Sequence, residues 1–260
     1  MATVSVIIPC YNDGKYLEET IKSVLEQTYS QIEIIIINDG SNEDETIEIL
    51  NRLHERGVIV LNSERLGPSH ARNYGIIKAS GKYILPLDAD DKIDKTYIEK
   101  AVNILNENEK IGVVYCYAKL FGEKTGNWDL PKYEFKKMFF RNIVFVTAMF
   151  RKEDWVSVGG FCNDFKNGLE DYDFWLSILE TGKEIYQIPE PLFYYRIKRE
   201  SRTTSFLSSS RNVLETYHLI YERHKPLFKK NCTILELVFR ESIIIARAIK
   251  VFLKCNLRKN

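Results

Sequence analysis

The stretch from Lys82 to Asp91, KYILPLDADD, constrains this chain most. Tyr83, Ile84, Leu85 and Leu87 make a short apolar run, the mark of a central parallel strand buried on both faces. The run stops in three carboxylates, Asp88, Asp90 and Asp91. Ligands of open α/β sheets bind just beyond the carboxyl ends of the strands. Asp88-Ala89-Asp90 therefore sets two hard oxygen ligands where a divalent ion would bridge the protein to a substrate diphosphate. The same D-x-D serves equally as a solvated acidic turn capping a helix that begins near Asp94, because Asp is a common N-cap.

The segments around this run repeat its logic. VSVIIP (4–9) reads as a first buried strand, IEIIII (32–37) as a second and Val58 to Leu61 as a third. Helical patterns over 16–27, 44–55 and 68–79 separate them, with apolar residues such as Leu17, Ile21, Val24 and Leu25 on one face. Strands alternating with helices of this length predict a mostly parallel, doubly wound α/β sheet. Further along, a helix is expected at 95–107, strands at 111–121 and 144–150, and a turn-rich lid or hairpin at 122–131. A short helix at 152–158, a helix from 168 to about 179, and strands over 185–197 broken by Pro189 and Pro191 follow. Residues 201–210 read as a mobile Ser/Thr-rich segment, and two helices fill the remainder.

Composition excludes some classes. With 260 residues, 45% hydrophobic and 28% charged, the chain buries an ordinary core. The five cysteines (10, 116, 162, 232 and 255) show no metal-binding spacing, which points to a reducing cytoplasm. MATVSVIIPCYN lacks a basic leader region and meets a proline too early for a signal peptide. No G-x-G-x-x-G or G-x-x-x-x-G-K-[ST] occurs, which disfavours a dinucleotide fold and a P-loop NTPase. Net charge is +1, but residues 223–260 carry ten Lys/Arg against two Glu, leaving residues 1–222 at −7. A negative sheet region opposes nucleic-acid binding.

Five segments, VSVIIPCYN, INDGS, RLGPSHARNYG, LDADD and GLEDYDFW, occur in an order that resembles family 2 glycosyltransferases of the GT-A fold. They span roughly residues 4–180. The resemblance implies transfer of a sugar from a nucleotide diphosphate, UDP favoured, to an acceptor hydroxyl with inversion and with Mn²⁺ or Mg²⁺. The acceptor would be a saccharide or a lipid- or protein-linked glycan, in cell-surface polysaccharide or glycoconjugate synthesis. The implied organisation is a catalytic domain over 1–205, with a nucleotide-binding half (1–91) and an acceptor half (92–205), and a helical extension over 206–260.

By the same resemblance, Pro9, Tyr11, Asn12, Asp39, Arg65, Arg72, Asn73, Asp88 and Ala89 meet the nucleotide. Tyr11 offers a face for a base, and Asp39 an acceptor for an imide N–H; a packed turn tyrosine and an ordinary Asp-Gly turn are the plain alternatives. Asp88 and Asp90 hold the metal, with Asp91 supporting them. Asp171 is the general base, although an acidic residue also suits the first turn of a helix. Glu170 and Trp175 are acceptor-side candidates, Trp175 equally a core residue. Many members carry Y-R-x-H after the last strand; here it is Tyr195-Arg196-Ile197-Lys198. A charged lysine cannot ligate metal, so Lys198, like Arg196, Arg199 or Arg202, is a candidate for the diphosphate charge.

Residues 233–257 are too interrupted to span a bilayer. Glu236, Arg240, Arg247, Lys250, Lys254 and Arg258 share one helical stripe, which suggests either an anionic membrane surface, at the inner face of a cell membrane, or packing against the domain or a second copy. Two other functions compete with glycosyl transfer. A sugar-phosphate nucleotidyltransferase would need a Gly-rich loop where PCYNDG stands, and a non-catalytic sugar-binding module would not need Asp88, Asp90 and Asp171.

Overall fold

The structure, a computed structural model, describes residues 2–199, 206 and 209–257, with side chains to Leu253. The first half alternates as the apolar runs dictate: β1 (Val4–Cys10), α1 (Gly14–Leu25), β2 (Ile32–Asn38), α2 (Asp44–Glu55), β3 (Ile59–Asn62), α3 (Pro68–Lys78) and β4 (Tyr83–Pro86). Val6, Ile7, Ile8, Ile36 and Ile84 are wholly buried, as strands covered on both faces require. Helices α1 and α2 bury one stripe each, Leu17, Ile21 and Val24 on the first and Ile49, Leu50 and Leu53 on the second. Helix α3 opens with Pro68 in its first turn, after Gly67 at φ +92°.

The second half comprises β5 (Lys92–Ile93), α4 (Tyr97–Glu107), β6 (Ile111–Gly122), β7 (Gly126–Asn127), a 3₁₀ turn (Phe135–Phe139), β8 (Met149–Arg151), α5 (Lys152–Val158), α6 (Glu170–Glu180) and β9 (Glu184–Ile197). Helices α7 (Ser210–Arg223), α8 (Lys225–Asn231) and α9 (Ile234–Leu257) close the chain. Among the described residues the sheet runs β3-β2-β1-β4-β8-β6-β9-β5, with β7 on β6. Strands β3, β2, β1 and β4 are parallel, β8 runs against both β4 and β6, and β6 is parallel to β9. The sheet is a mostly parallel α/β sheet in which β8, β5 and β7 run against their neighbours. Because β2, β1 and β4 are adjacent and parallel, their carboxyl ends open on one edge.

Several expectations change. The helix expected from about Asp94 starts at Tyr97, because Asp94 Oδ1 accepts from Thr96 N (3.0 Å) and Thr96 Oγ1 (2.8 Å) in a turn. Lys92–Ile93 before it is a strand on β9. Of the strand expected at 144–150, only Met149–Arg151 pairs; Ala148 N donates to Val146 O (2.8 Å) and bends the segment into the crevice wall. The prolines at 189 and 191 do not break β9, because a register shift between Ile188 opposite Cys116 and Pro191 opposite Tyr117 absorbs them. Residues 119–127 form the hairpin of β6 and β7. Among the described residues three helices of more than one residue, not two, follow β9. Most of the segment expected to be mobile, 201–210, lies outside the described residues, as do Arg202 and Arg258.

Two members of the basic stripe on α9, Arg240 and Arg247, face the protein, whereas Lys250 is exposed and the side chains of Lys254 and Arg258 lie outside the described residues. Arg240 is 1% exposed, donates to Phe139 O (3.1 Å) and Tyr217 O (3.2 Å), and lies 4.8 Å over the Phe228 ring. Arg247 donates to the Tyr217 hydroxyl at 2.6 Å. Carbonyls and aromatic faces satisfy these guanidiniums better than the aliphatic side chains of the helix would. The apolar face points outward in consequence, with Leu235 81%, Phe239 60% and Phe252 57% exposed.

Candidate active site

The strand ends open into a crevice of about 750 Å³. One wall comes from the ends of β1, β2 and β4 (Pro9, Tyr11, Asp39, Asp88), the other from the loop before β8 and the start of α6. Arg65 stacks its guanidinium 4.3 Å over the Tyr11 ring, and both residues line the crevice. Asp39 is 5% exposed and accepts from Leu66 N (3.2 Å) and Gly67 N (2.9 Å), which fixes the Arg65 loop. Each of its oxygens keeps a further lone pair.

Cations brace the carboxylates of the DADD turn. Arg72, on the first turns of α3 and 3% exposed, donates from Nη2 to Asp88 Oδ1 (2.7 Å) and from Nη1 to Glu170 Oε1 (2.8 Å). Burial opposes its charge, but Asp88 and Glu170 hold it above the ordinary arginine range. Lys198, just past β9, sits with Nζ 2.7 Å from Asp13 Oδ1 and 2.8 Å from Asp90 Oδ2. Arg196 donates its backbone N–H to Asp91 Oδ1 and its Nε to Asp90 O, both at 2.7 Å. Burial raises Asp90 above the ordinary carboxylate range, with Lys198 opposing and Asp88 adding to the rise. Asp91, 1% exposed, is raised further by burial and by its two neighbours.

Across the crevice, Asp171 stands in the first turn of α6. Its Oδ1 accepts from Tyr172 N (2.8 Å) and its Oδ2 from Asn142 Nδ2 (3.0 Å). Burial, then the Glu170 charge, pushes its pKa up to about 7, against the pull of Arg72 and the two hydrogen bonds. Leu169 before it adopts φ +66°, uncommon for a non-glycine residue and a conformation that clusters at functional sites. Trp128 lies 4.7 Å from Tyr195 and 6.0 Å from Phe145 between ring centres, giving the crevice an aromatic wall.

Other expected residues fall elsewhere. Asn73 is turned away from the crevice: its amide donates to Phe161 O (2.8 Å), and its oxygen accepts from Phe161 N (2.9 Å) and Trp155 Nε1 (3.1 Å). Asn12, at φ +55°, ties the β1 turn to Asn42 and Glu43 and borders an adjoining hollow. Trp175 is wholly buried and donates to Val144 O (3.2 Å), so it is core, not an acceptor contact. Glu170 lines the crevice but is 5% exposed and engaged with Arg72. Arg196 reaches Glu19 and stacks over Tyr16 (4.4 Å) and Phe121 (4.2 Å), so its guanidinium braces the turn and does not face the crevice. Ala89 lines the crevice and holds Thr20 Oγ1 through its carbonyl (2.8 Å). Sequence reasoning missed Asp13, Asn142 and Trp128; isolated polar and aromatic residues in turns carry no local mark of what they meet.

At Asp88 and Asp90 a divalent ion would compete with cations already in place. One oxygen of each carboxylate is taken by a cationic side chain, Arg72 or Lys198, and Asp91 is enclosed. No three His, Cys, Asp or Glu side chains converge as metal ligands among the described residues.

The fold has solved counterparts. The mannosyltransferase PcManGT from Pyrobaculum calidifontis, in complex with GDP-Man and Mn²⁺, superposes with TM-score 0.68 at 18% identity, covering 98% of this chain and 75% of its own. S. aureus TarS 1–349 in complex with UDP-GlcNAc gives 0.64 at 18% identity, covering 96% and 81%. The fold is therefore GT-A. The profile of Glycosyl transferase family 2 matches residues 5–162. An uncharacterized glycosyltransferase of Haemophilus influenzae is 32% identical over 231 residues, 80% of this chain and 69% of that protein. The chain belongs to glycosyl transferase family 2.

Proposed function

We infer that this glycosyltransferase moves a hexosyl or N-acetylhexosaminyl group from a nucleotide-diphosphate sugar, UDP-sugar favoured, to an acceptor hydroxyl with inversion. The observation that carries the reading is Asp171: a carboxylate with pKa about 7, facing the DADD turn across one crevice. A base tuned near neutrality is suited to accept a hydroxyl proton at physiological pH. The acceptor oxygen bonds the anomeric carbon and its proton passes to Asp171. The bond from that carbon to the diphosphate oxygen breaks, and its electron pair leaves with the nucleoside diphosphate. Arg65, Tyr11 and Asp39 take the nucleotide, and residues 1–91 form the donor half. Residues 92–205 form the acceptor half, where the wall of Trp128, Phe145 and Tyr195 offers apolar faces to a saccharide or linked glycan. The TarS complex with UDP-GlcNAc supports UDP. The product would enter cell-surface polysaccharide or glycoconjugate, made at the cytoplasmic face of a membrane.

A thermal-shift screen of UDP, GDP, TDP and CDP tests the donor reading. The cognate nucleotide at about 100-fold excess over its Kd should raise Tm by about 5 °C or more. No shift with any of the four sinks the nucleotide-sugar assignment.

A second reading keeps Mn²⁺ or Mg²⁺ on Asp88 and Asp90, and the Mn²⁺ complex of PcManGT favours it. It requires Lys198 to leave Asp90. Bound there, the ion would supply charge stabilisation to the departing diphosphate.

A further inference from the structure

We propose that the ammonium of Lys198 takes the place of the divalent cation in this chain, neutralising the departing diphosphate without a metal. The inference rests on the glycosyl-transfer reading and concerns one group within it.

The ammonium is built in, not passing by. Its two carboxylate partners come from far apart in sequence, Asp13 at the end of the β1 turn and Asp90 in the DADD turn, at 2.7 and 2.8 Å. The Lys198 side chain is 20% exposed and that of Asp90 15%. The residues before it hold the backbone in place: Arg196 N donates to Asp91 Oδ1, and Arg196 Nε to the carbonyl of Asp90. A lysine is ordinarily an ammonium at neutral pH, and here two carboxylates flank it. An ammonium has three N–H donors. Two serve the carboxylates, and the third is available to a phosphate oxygen, since Lys198 lines the main crevice as well as the adjoining hollow.

A divalent ion on Asp90 would then sit within a few ångströms of a fixed positive charge, on a carboxylate already neutralised. Asp88, its side chain 36% exposed, likewise gives one oxygen, Oδ1, to a cation, Arg72. Electrostatic stabilisation of a leaving group needs a preorganised positive charge where negative charge develops, and a fixed lysine meets that need as a metal does. In the transfer step Lys198 keeps its proton. The electron pair of the broken bond stays on the diphosphate oxygen, and the acceptor proton remains with Asp171.

The test uses the full chain, Mn²⁺ followed by electron paramagnetic resonance, and UDP and GDP by calorimetry, with Lys198→Ala and Lys198→His as variants. Wild type should bind Mn²⁺ roughly tenfold or more weaker than Lys198→His. Its nucleotide affinity in EDTA should stay within about twofold when Mn²⁺ replaces the chelator. Lys198→Ala should lose roughly tenfold in nucleotide affinity in EDTA and regain it with Mn²⁺. If Lys198→Ala does not fold, Lys198→Met, which keeps the aliphatic length, replaces it. The proposal is overturned if wild type binds Mn²⁺ as tightly as Lys198→His, or if Mn²⁺ raises wild-type nucleotide affinity by roughly tenfold or more. Binding of neither nucleotide under any condition fails the glycosyl-transfer reading, while the Mn²⁺ comparison on the protein alone still decides the role of Lys198.

Discussion

Asp171 carries two demands that conflict, and both are measurable. Burial and the Glu170 charge lift its pKa from the ordinary 3.8 to about 7. A carboxyl raised in the native state binds more protons folded than unfolded between those values. Stability from this group is therefore complete at low pH and falls as pH rises through about 7. Asp171→Asn removes the charge and keeps the shape. At pH 8 the variant should be more stable, on the order of 2 kcal/mol by denaturant titration, with the gap closing toward pH 4. Its turnover should drop by about 100-fold or more while nucleotide affinity persists. In wild type, kcat/KM should rise with pH and level above about 7. A variant with near-normal turnover, or no gain at pH 8, would show Asp171 to be only a helix-start carboxylate.

At the scale of elements, Arg72 joins α3 to the β4 turn and to the first turn of α6, so the two walls of the crevice share one buried guanidinium. Arg72→Met keeps bulk and leaves Glu170 buried without this partner; breaking such a pair costs about 3 kcal/mol. Arg72→Lys presents one point charge in place of a fork and should recover only part of the loss. Equal denaturation midpoints for wild type and Arg72→Met would show that the bridge stabilises nothing. This joint also marks where sequence reading stops. Strands β1, β2 and β4 and helices α1 to α3 were legible because their cause is local: apolar runs, amphipathic spacing and a first-turn proline. That Asp171, Asp88 and Asp90 line one crevice was legible through motifs. The partners were not, since Glu170 lies 98 positions from Arg72, and Asp13 lies 185 from Lys198. Asn142, 29 positions from Asp171, stands in a turn whose composition does not distinguish it. The shortness of β8 follows from the bend at Val146 and Ala148, which periodicity does not encode.

For the whole molecule, the outward apolar face of α9 is the feature a binding surface would meet. No helix among the described residues is long and apolar enough to cross a membrane. Yet Leu235, Phe239, Ile245, Ile249, Phe252 and Leu253 are each at least 51% exposed on one helix, an unusual concentration of large apolar groups. Arg240 and Arg247 are spent on the domain, and among the described side chains of α8 and α9 the exposed lysines are Lys229, Lys230 and Lys250. An apolar face with lysines nearby suits an interface plane, where side chains enter the acyl boundary and ammonium groups meet anionic headgroups. The full chain should therefore co-sediment with vesicles rich in anionic lipid, and high salt should release only part of it, because burial of Ile, Leu and Phe is not screened. The triple variant Ile245→Asp, Ile249→Asp and Leu253→Asp should bind roughly tenfold less or weaker still, with its nucleotide affinity unchanged, since the crevice lies on the sheet edge. Complete release by salt would leave only lysine attraction. Equal binding by the triple variant would remove this face from membrane contact, and a dimer abolished by the same substitutions would assign it to a second copy of the chain.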